Sequence, residues 1–367
     1  MPIITGDNHI APYTWSRHPN LRGDSYFAFT QVVDLCIAAE EPMIILGDLF
    51  DAKKLDSRTV IEFQRQMDRM KSAELNVFAI QGQHDRTDPP WVSMHSQITH
   101  VDKKCISFHD TMFYFLDYRD PESLDEELKS VPENASVLCL HQALKQALPF
   151  ENDDGSGVWD FEAEQVPVHI RKIFLGDIHT PYDFELEGRS FQYTGTTCMQ
   201  AINEPTDKHV IWYRADGVEL VPLQTRPFYS GTAVTTESLS KTCDIIRSIP
   251  DPAEENKDFP AEVARPYVVV VYQADVEGAT DRLNAACDER DCERLLVSVR
   301  PELVSNGEII ATVDPDEVSL EKCLDLTVSR ETEKELHTFL TLLLRTRDNE
   351  EVHIVLAAHR DEMGITL

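Results

Sequence analysis

The sequence predicts an α/β sandwich, two β-sheets flanked by helices, followed by a small α+β unit and terminal helices. Three observations predict it. Four short apolar runs read as buried strands: Ile3-Ile4, Met43-Ile44-Ile45-Leu46, Val77-Phe78-Ala79-Ile80 and Ile173-Phe174-Leu175. The first three runs alternate with stretches of helical periodicity, which implies right-handed crossovers and a largely parallel inner sheet. Each run also leads into a turn rich in Gly, Asp and His. Side chains at the carboxyl ends of neighbouring strands converge on one crevice.

The elements follow in chain order. Between Asp24 and Glu40, residues Phe29, Val32, Val33, Cys36 and Ile37 share one helical face. Val60, Phe63, Met67 and Met70 do the same in a second helix, with Asp56 or Ser57 as its N-cap. Short strands follow between Cys105 and Tyr118. Ser136 to Leu140 and Lys172 to Leu175 read as buried strands. Strand patterns at Phe191 to Thr194, His209 to Tyr213 and Val218 to Leu223 complete the sandwich. Arg226-Pro227 marks a break. A helix over Thr236 to Ile249, an exposed acidic loop over Asp251 to Pro260, a strand over Pro266 to Gln273, a helix over Gly278 to Arg290 and a strand over Leu295 to Val299 make the α+β unit. Beyond it, Leu336, Phe339, Leu340, Leu343 and Leu344 form an amphipathic stripe, and Asp348 with Glu351 opens a last helix. The predicted boundaries are 1–225 for the sandwich, 226–304 for the α+β cap, 305–318 for a linker and 319–367 for a helical segment that packs on the body or binds a partner helix.

A chain of 367 residues suggests two or three domains. No apolar run approaches the length of a membrane span. The chain enters a strand at Ile3, which predicts no signal peptide. The eight cysteines are scattered without a CxxC pair, the pattern of reduced thiols in an intracellular, cytoplasmic protein. The net charge of −31 repels a polyanion over much of the surface, so a nucleic-acid substrate requires metals or a partner to supply attraction.

The turns carry the chemistry. They read Asp7-Asn8-His9, Gly47-Asp48-Leu49-Phe50-Asp51, Gly82-Gln83-His84-Asp85 and Gly176-Asp177-Ile178-His179, with His141 ending a strand of its own. Phosphodiester hydrolysis needs an activated water, compensation of phosphoryl charge and a stabilised leaving oxygen. Two divalent ions about 4 Å apart serve all three needs. Asp48 is the expected bridge. Asp7, His9 and His179 complete one site, provided the chain turns at Asp7 and His9. Gln83, His141 and Asp177 complete the other. His84 faces the scissile phosphate as donor or general acid, with Asp85 orienting its ring and Asp51 bracing the loop around Asp48. Taken singly these motifs are weak; four in order, each after a strand, are a strong signal.

This set resembles the calcineurin-like metallophosphoesterase superfamily, and within it the SbcD-type nuclease subunits of recombination and repair complexes, phage relatives included. The motifs cover about the first 200 residues. The Tyr193-Thr194-Gly195-Thr196 turn, Glu204-Pro205 and the Arg226-Pro227 start of the cap are similar to that subgroup as well. The resemblance implies a manganese-dependent DNA exonuclease and endonuclease, with magnesium as the other metal. It also implies a homodimer, with terminal helices docked on the coiled-coil base of an SbcC-type ATPase. The chain departs from the family pattern at two ligands. Gln83 stands where the family has Asn, one methylene shorter. Asp177 stands where the family has His, and a carboxylate favours manganese or magnesium over zinc. Three carboxylates against two divalent ions leave formally one positive charge. Two rival readings stay open: a phosphoesterase acting on a small molecule or phosphoprotein, and a catalytically weak scaffold. Lys103-Lys104 and Arg17-His18 are the best local basic spots for a phosphate backbone, and each reads first as solvated surface. His95, His100 and His109 read as surface or packing residues, and Trp91 as a loop anchor.

Overall fold

A computed structural model describes residues 1–14, 20–147, 159–202, 204–215, 217–273, 275–299, 304–305 and 308–309. The expected C-terminal helices over 319–367, and nearly all of the expected linker over 305–318, lie outside these residues. The chain divides into two compact units. The first comprises Met1–Phe228, Ile249–Tyr267 and Asp291–Glu293; the second comprises Tyr229–Ser248, Val268–Arg290 and the described residues after Glu293.

The first unit opens with β1 (Ile3–Thr5), α1 (Asp24–Ala39), β2 (Met43–Leu46), α2 (Ser57–Ser72), β3 (Val77–Ile80) and β4 (Ile98–His100). β1 to β4 pair in parallel, each beside the next, as crossover helices require. Asp56 is the N-cap of α2, its carboxylate accepting from the Arg58 and Thr59 amides at 2.8 and 3.2 Å. β5 (Lys104–Phe108), β6 (Thr111–Phe115), α3 (Pro121–Lys129), β7 (Val137–His141), β8 (Lys172–Gly176), β9 (Tyr182–Leu186) and β10 (Arg189–Tyr193) follow. They build a second sheet in the order β5-β6-β7-β8-β10-β9, parallel from β6 through β7 and β8 to β10 and antiparallel at both edges. β11 (Lys208–Arg214) and β12 (Gly217–Leu223) return to the first sheet, antiparallel beside β1.

Burial of the inner strands on both faces explains their continuous apolar runs. Ile4, Ile44, Leu46 and Ile80 meet Phe113, Phe115, Cys139 and Phe174 between the two sheets. The alternate residues Ile3, Met43, Ile45, Val77 and Ala79 pack on Phe29, Val33, Phe63 and Met67 of α1 and α2. On the outer face of the second sheet, Leu138, Leu140, Ile173 and Leu175 meet Leu124 and Leu128 of α3. β4, β9 and α3 are among the elements that escaped the sequence reading. β9 is an edge strand with a half-exposed pattern, and α3 starts at Pro121 in an acidic stretch with only Leu124 and Leu128 buried.

The stretch expected as an exposed loop holds the short helix α4 of the first unit's peripheral segment (Pro252–Glu255), and a second short helix, α5 (Ala261–Ala264), follows it. In the second unit, β13 (Phe228–Ala233), β14 (Tyr267–Gln273) and β15 (Glu293–Val299) form a three-stranded sheet, in that order. Its helices Thr236–Ser248 and Ala279–Glu289 bury Leu239, Cys243 and Ile246, and Leu283, Ala286 and Cys287. No described helix is long and apolar enough to cross a membrane. The seven cysteines among the described residues are free thiols.

Phe113 is fully buried and stacks within 6.4 Å of Phe115 and Phe174, with Phe108 and Tyr213 set edge-on. Phe113→Ala is predicted to cost about 3–5 kcal/mol, read as a lower urea midpoint at unchanged slope.

Candidate metal centre

The five strand ends meet. β1, β2 and β3 of the first sheet and β7 and β8 of the second deliver Asp7, His9, Asp48, Gln83, His141, Asp177 and His179 to one place. The delivery depends on left-handed backbone. Asp7 (φ +47°), His9 (+43°), Asp48 (+44°) and Asp177 (+91°) all lie in a region that side-chain-bearing residues seldom adopt. Each such residue costs on the order of 1 kcal/mol or more, so the rest of the fold must hold them there. The turns at Asp7 and His9 are the condition under which both side chains reach one cation. Close approach of the strands requires glycine: a Cβ on Gly82 would lie 2.0 Å from Asp48 Oδ1.

The histidines share one arrangement. His141 Nδ1 is 2.7 Å from the Leu46 carbonyl oxygen, and His179 Nδ1 is 2.8 Å from Glu204 Oε1. His9 Nδ1 is 3.3 Å from Asp51 Oδ1, without the alignment of a hydrogen bond. With Nδ1 turned to oxygen, each ring presents Nε2 to the centre. His9 Nε2 and His179 Nε2 are 3.2 Å apart. Two nitrogens each about 2.1 Å from one cation lie roughly 3.0–3.4 Å apart, so this pair matches a shared metal ion. His141 Nε2 faces Asp48 Oδ2 at 3.3 Å and Asp177 Oδ1 at 3.9 Å, and His9 Nε2 lies 3.9 Å from Asp48 Oδ2. Asp48 therefore stands between the two histidines, where a bridging ligand belongs.

Among the described residues, three groups of side chains could each hold a metal ion: Asp7, His9 and His179; Asp7, Asp48 and His141; and, at the exposed side, His9, Asp51 and His84. The buried side-chain polar atoms without a hydrogen-bond partner, among the described residues, are Asn8 Oδ1, His9 Nδ1 and His141 Nε2, all at this centre. Buried polar atoms are normally paired, so their concentration here fits groups shaped for a cation. Electrostatics agrees. Burial alone would lower the His141 pKa, yet Asp48, Asp7 and Asp177 hold it well above the ordinary value. Burial raises Asp48 as well, but His141, His9 and His84 outweigh it and hold that carboxyl well below the usual range. Burial, with Asp7, Asp160 and Asp48 beside it, pushes Asp177 up to about 6 against the pull of His141. A buried cluster that raises the pKa values of His9, His141, Asp7 and Asp177 together favours added positive charge, which divalent ions supply.

The surrounding residues are placed as follows. The Asp177 amide donates to both Asp7 carboxylate oxygens at 3.1 and 3.2 Å. Gln83 is exposed and its Nε2 donates to Asp177 Oδ1 at 3.0 Å, so the amide end reaches the centre. His84 is exposed; its backbone amide donates to Asp48 Oδ1 at 2.9 Å and its Nδ1 lies 3.3 Å from the Asp51 carbonyl oxygen. Asp51 and Asp85 exchange their expected roles. Asp85 is buried, and its carboxylate accepts from the Leu49 and Gly82 amides at 2.9 Å, so it braces the Asp48 loop instead of orienting the His84 ring. Burial and the nearby Asp48 charge push its pKa up to about 6. The ring contact comes from Asp51. Among the other singled-out residues, Lys103 pairs with Glu127, His95 with Asp68, and His100 with Asp117. Trp91 Nε1 donates to the Lys53 carbonyl at 2.8 Å, the loop anchor expected of it. Arg17 and His18 lie outside the described residues.

The residue that sequence reasoning missed is Glu204. It follows His179 by 25 positions and carries no metal motif; its one mark in the sequence is the Glu204-Pro205 similarity, which gave it no role at the centre. Glu204 Oε2 accepts from Lys208 Nζ and Thr196 Oγ1, each at 2.8 Å, while Oε1 holds His179. Burial opposes its ionisation, but His179 and Lys208 outweigh it and bring the pKa down to about 2 from 4.5. A folded-state pKa below the unfolded one adds stability that is present above pH 4.5 and lost as pH falls through about 2. The difference is roughly 3 kcal/mol. Glu204→Gln is therefore predicted to be less stable than the parent in chelator at pH 6, with the gap narrowing below pH 4.5. Calorimetry should also show about 10- to 100-fold weaker manganese binding in this variant.

Comparison with known proteins agrees with this architecture. The chain is 31% identical over 182 residues to the DNA double-strand break repair protein Mre11 of Sulfurisphaera tokodaii, covering 45% of each chain. It is 26% identical over 240 residues to the protein of that name in Haloferax volcanii, covering 62% of this chain and 53% of that one. The chain thus spans about half the length of the curated relatives it matches. The calcineurin-like phosphoesterase family matches residues 3–212, all five strand ends of the centre included. The chain belongs to the calcineurin-like phosphoesterase family, a hydrolase family whose fold binds divalent metal.

Proposed function

We propose that the chain is a metal-dependent DNA nuclease subunit that hydrolyses phosphodiester bonds at a two-metal centre. The observation that carries this reading is the convergence of three imidazole Nε2 atoms on Asp7, Asp48 and Asp177, with the exposed His84 beside them. The similarity to archaeal proteins named for double-strand break repair supports DNA as the substrate class. In this reading the chain acts as a homodimer in the cytoplasm of a bacterium or phage-infected host. An SbcC-type coiled-coil ATPase is its partner, bound through residues 319–367.

Asp7, His9 and His179 would hold one ion and Gln83, His141 and Asp177 the other, with Asp48 shared. Two divalent ions, manganese or magnesium, would there offset phosphoryl charge and lower the pKa of water. The chain's own residues do the rest. Glu204, Asp51 and the Leu46 carbonyl keep the three Nε2 lone pairs aimed inward. Rotation of the Gln83 amide presents Oε1 in place of Nε2. The Asp51 carbonyl accepts a hydrogen bond from His84 Nδ1–H, which turns Nε2 outward. In its imidazolium form His84 then gives the Nε2 proton to the leaving oxygen as the P–O bond breaks.

The purified chain, supplied with manganese, is predicted to degrade labelled DNA, and His84→Ala to lower that rate about 10²- to 10⁴-fold. Cleavage of a chromogenic phosphodiester without any cleavage of DNA would favour the small-molecule reading. Silence on both, with an SbcC-type ATPase present, would favour the scaffold. Truncation after Val318 is predicted to abolish ATPase binding in a pull-down and to spare the nuclease; an unaffected complex would refute the role of the tail.

A further inference from the structure

The proposed substrate is a polyanion, yet the chain carries a net charge of −31, so the cations left free to meet phosphate are informative. Most arginines of the first unit are committed to carboxylates: Arg58 to Glu262, Arg65 to Glu62, Arg69 to Asp34 and Arg119 to Asp102. Two lysines beside the centre are not. Lys53 and Lys54 are exposed, and neither has an ion-pair partner among the described residues. Arg86, two residues after His84, is also exposed and meets Asp120 only at 3.9 Å.

These cations sit on two loops that are pinned together. The His84 ring meets the Asp51 carbonyl at 3.3 Å, and Trp91 Nε1 donates to the Lys53 carbonyl at 2.8 Å. The loop carrying His84 is folded on itself by Trp91 N and Thr87 Oγ1, 3.1 Å apart. The backbones of Lys53 and Arg86 are therefore held on the His84 side of the centre while their side chains reach into solvent. The acidic residues of the same loops are mostly engaged elsewhere. Asp85 is buried, and of the exposed carboxylates Asp51 faces His9 and Asp56 caps α2, while Asp88 stands in solvent. The exposed charges of the two loops are balanced, Lys53, Lys54 and Arg86 against Asp51, Asp56 and Asp88, on a chain whose net charge is −31.

We infer that Lys53, Lys54 and Arg86 form a phosphate-backbone contact surface flanking the scissile bond on the His84 side, which gives the centre its preference for a polynucleotide. This rests on the nuclease reading and adds how the substrate is gripped. A small phosphoester has no second phosphate to reach these residues; a nucleic-acid strand has one on every neighbouring nucleotide. Each phosphate contact that a lysine makes releases condensed counterion, so the surface should announce itself in the salt dependence of binding.

The test is fluorescence anisotropy of a labelled single-stranded oligonucleotide titrated with the full chain in chelator, over a range of potassium chloride. The Lys53→Gln/Lys54→Gln variant is expected to bind about tenfold more weakly, with the slope of log K against log salt shallower by about 1.4. Lys53→Arg/Lys54→Arg should restore the slope, and Lys71→Gln, at the last turn of α2, should leave it unchanged. Parental slope and affinity in the Gln variant would overturn the surface and leave the nuclease reading standing. A parent chain that neither binds the oligonucleotide nor cleaves DNA with manganese would overturn the nuclease reading itself, and the surface with it.

Discussion

The centre depends on imidazole rings gripped from behind. A histidine can present either nitrogen, and which one faces inward is decided by what the other nitrogen meets. Here the Leu46 carbonyl, the Glu204 carboxylate and the Asp51 carboxylate stand behind His141, His179 and His9. Each backing group comes from a different part of the fold: the last residue of β2, the approach to β11 and the loop after β2. The sandwich thus has to assemble before the rings can be aimed. The left-handed turns at Asp7, His9, Asp48 and Asp177 belong to the same demand, since their cost is met only by a scaffold that leaves no other conformation.

The two layers around the centre divide the work between carboxylates. Asp7, Asp48 and Asp177 face the imidazoles, while Glu204 and Asp85 hold the loops. The electrostatic contrast follows from partners. Glu204 has a buried lysine against it and ionises readily, whereas Asp85 has only amide donors, lies beside Asp48 and resists ionisation. Asp177 is raised first by burial and then by the repulsion of Asp7, Asp160 and Asp48 beside it. A cation relieves that repulsion, which ties metal occupancy to the stability of this corner of the fold.

Much of this was legible in the sequence, for identifiable reasons. The buried strands are short apolar runs closed by Gly-Asp or Gly-Gln, so both their positions and the side chains their ends bring together could be read. Asp56 ahead of an amphipathic stretch gave the start of α2. What was illegible concerns direction. Adjacent residues at a strand end diverge, and nothing in the order Gln83-His84-Asp85 says that Asp85 turns back under Leu49 while His84 turns to Asp51. Glu204 was hidden because its partners His179 and Lys208 are joined to it only by the return of the chain to the first sheet. The charge of −31 was an obstacle to a nucleic-acid reading when taken as a sum; taken residue by residue, it leaves Lys53 and Lys54 without an ion-pair partner among the described residues.

The most direct test is anomalous diffraction from crystals of the chain grown with manganese. Two peaks about 4 Å apart, one against His9 and His179 and one against His141 and Asp177, with Asp48 touching both, are the result the account predicts. An absence of bound ions at saturating manganese, with the Nε2 atoms of these histidines turned away from one another, would contradict it.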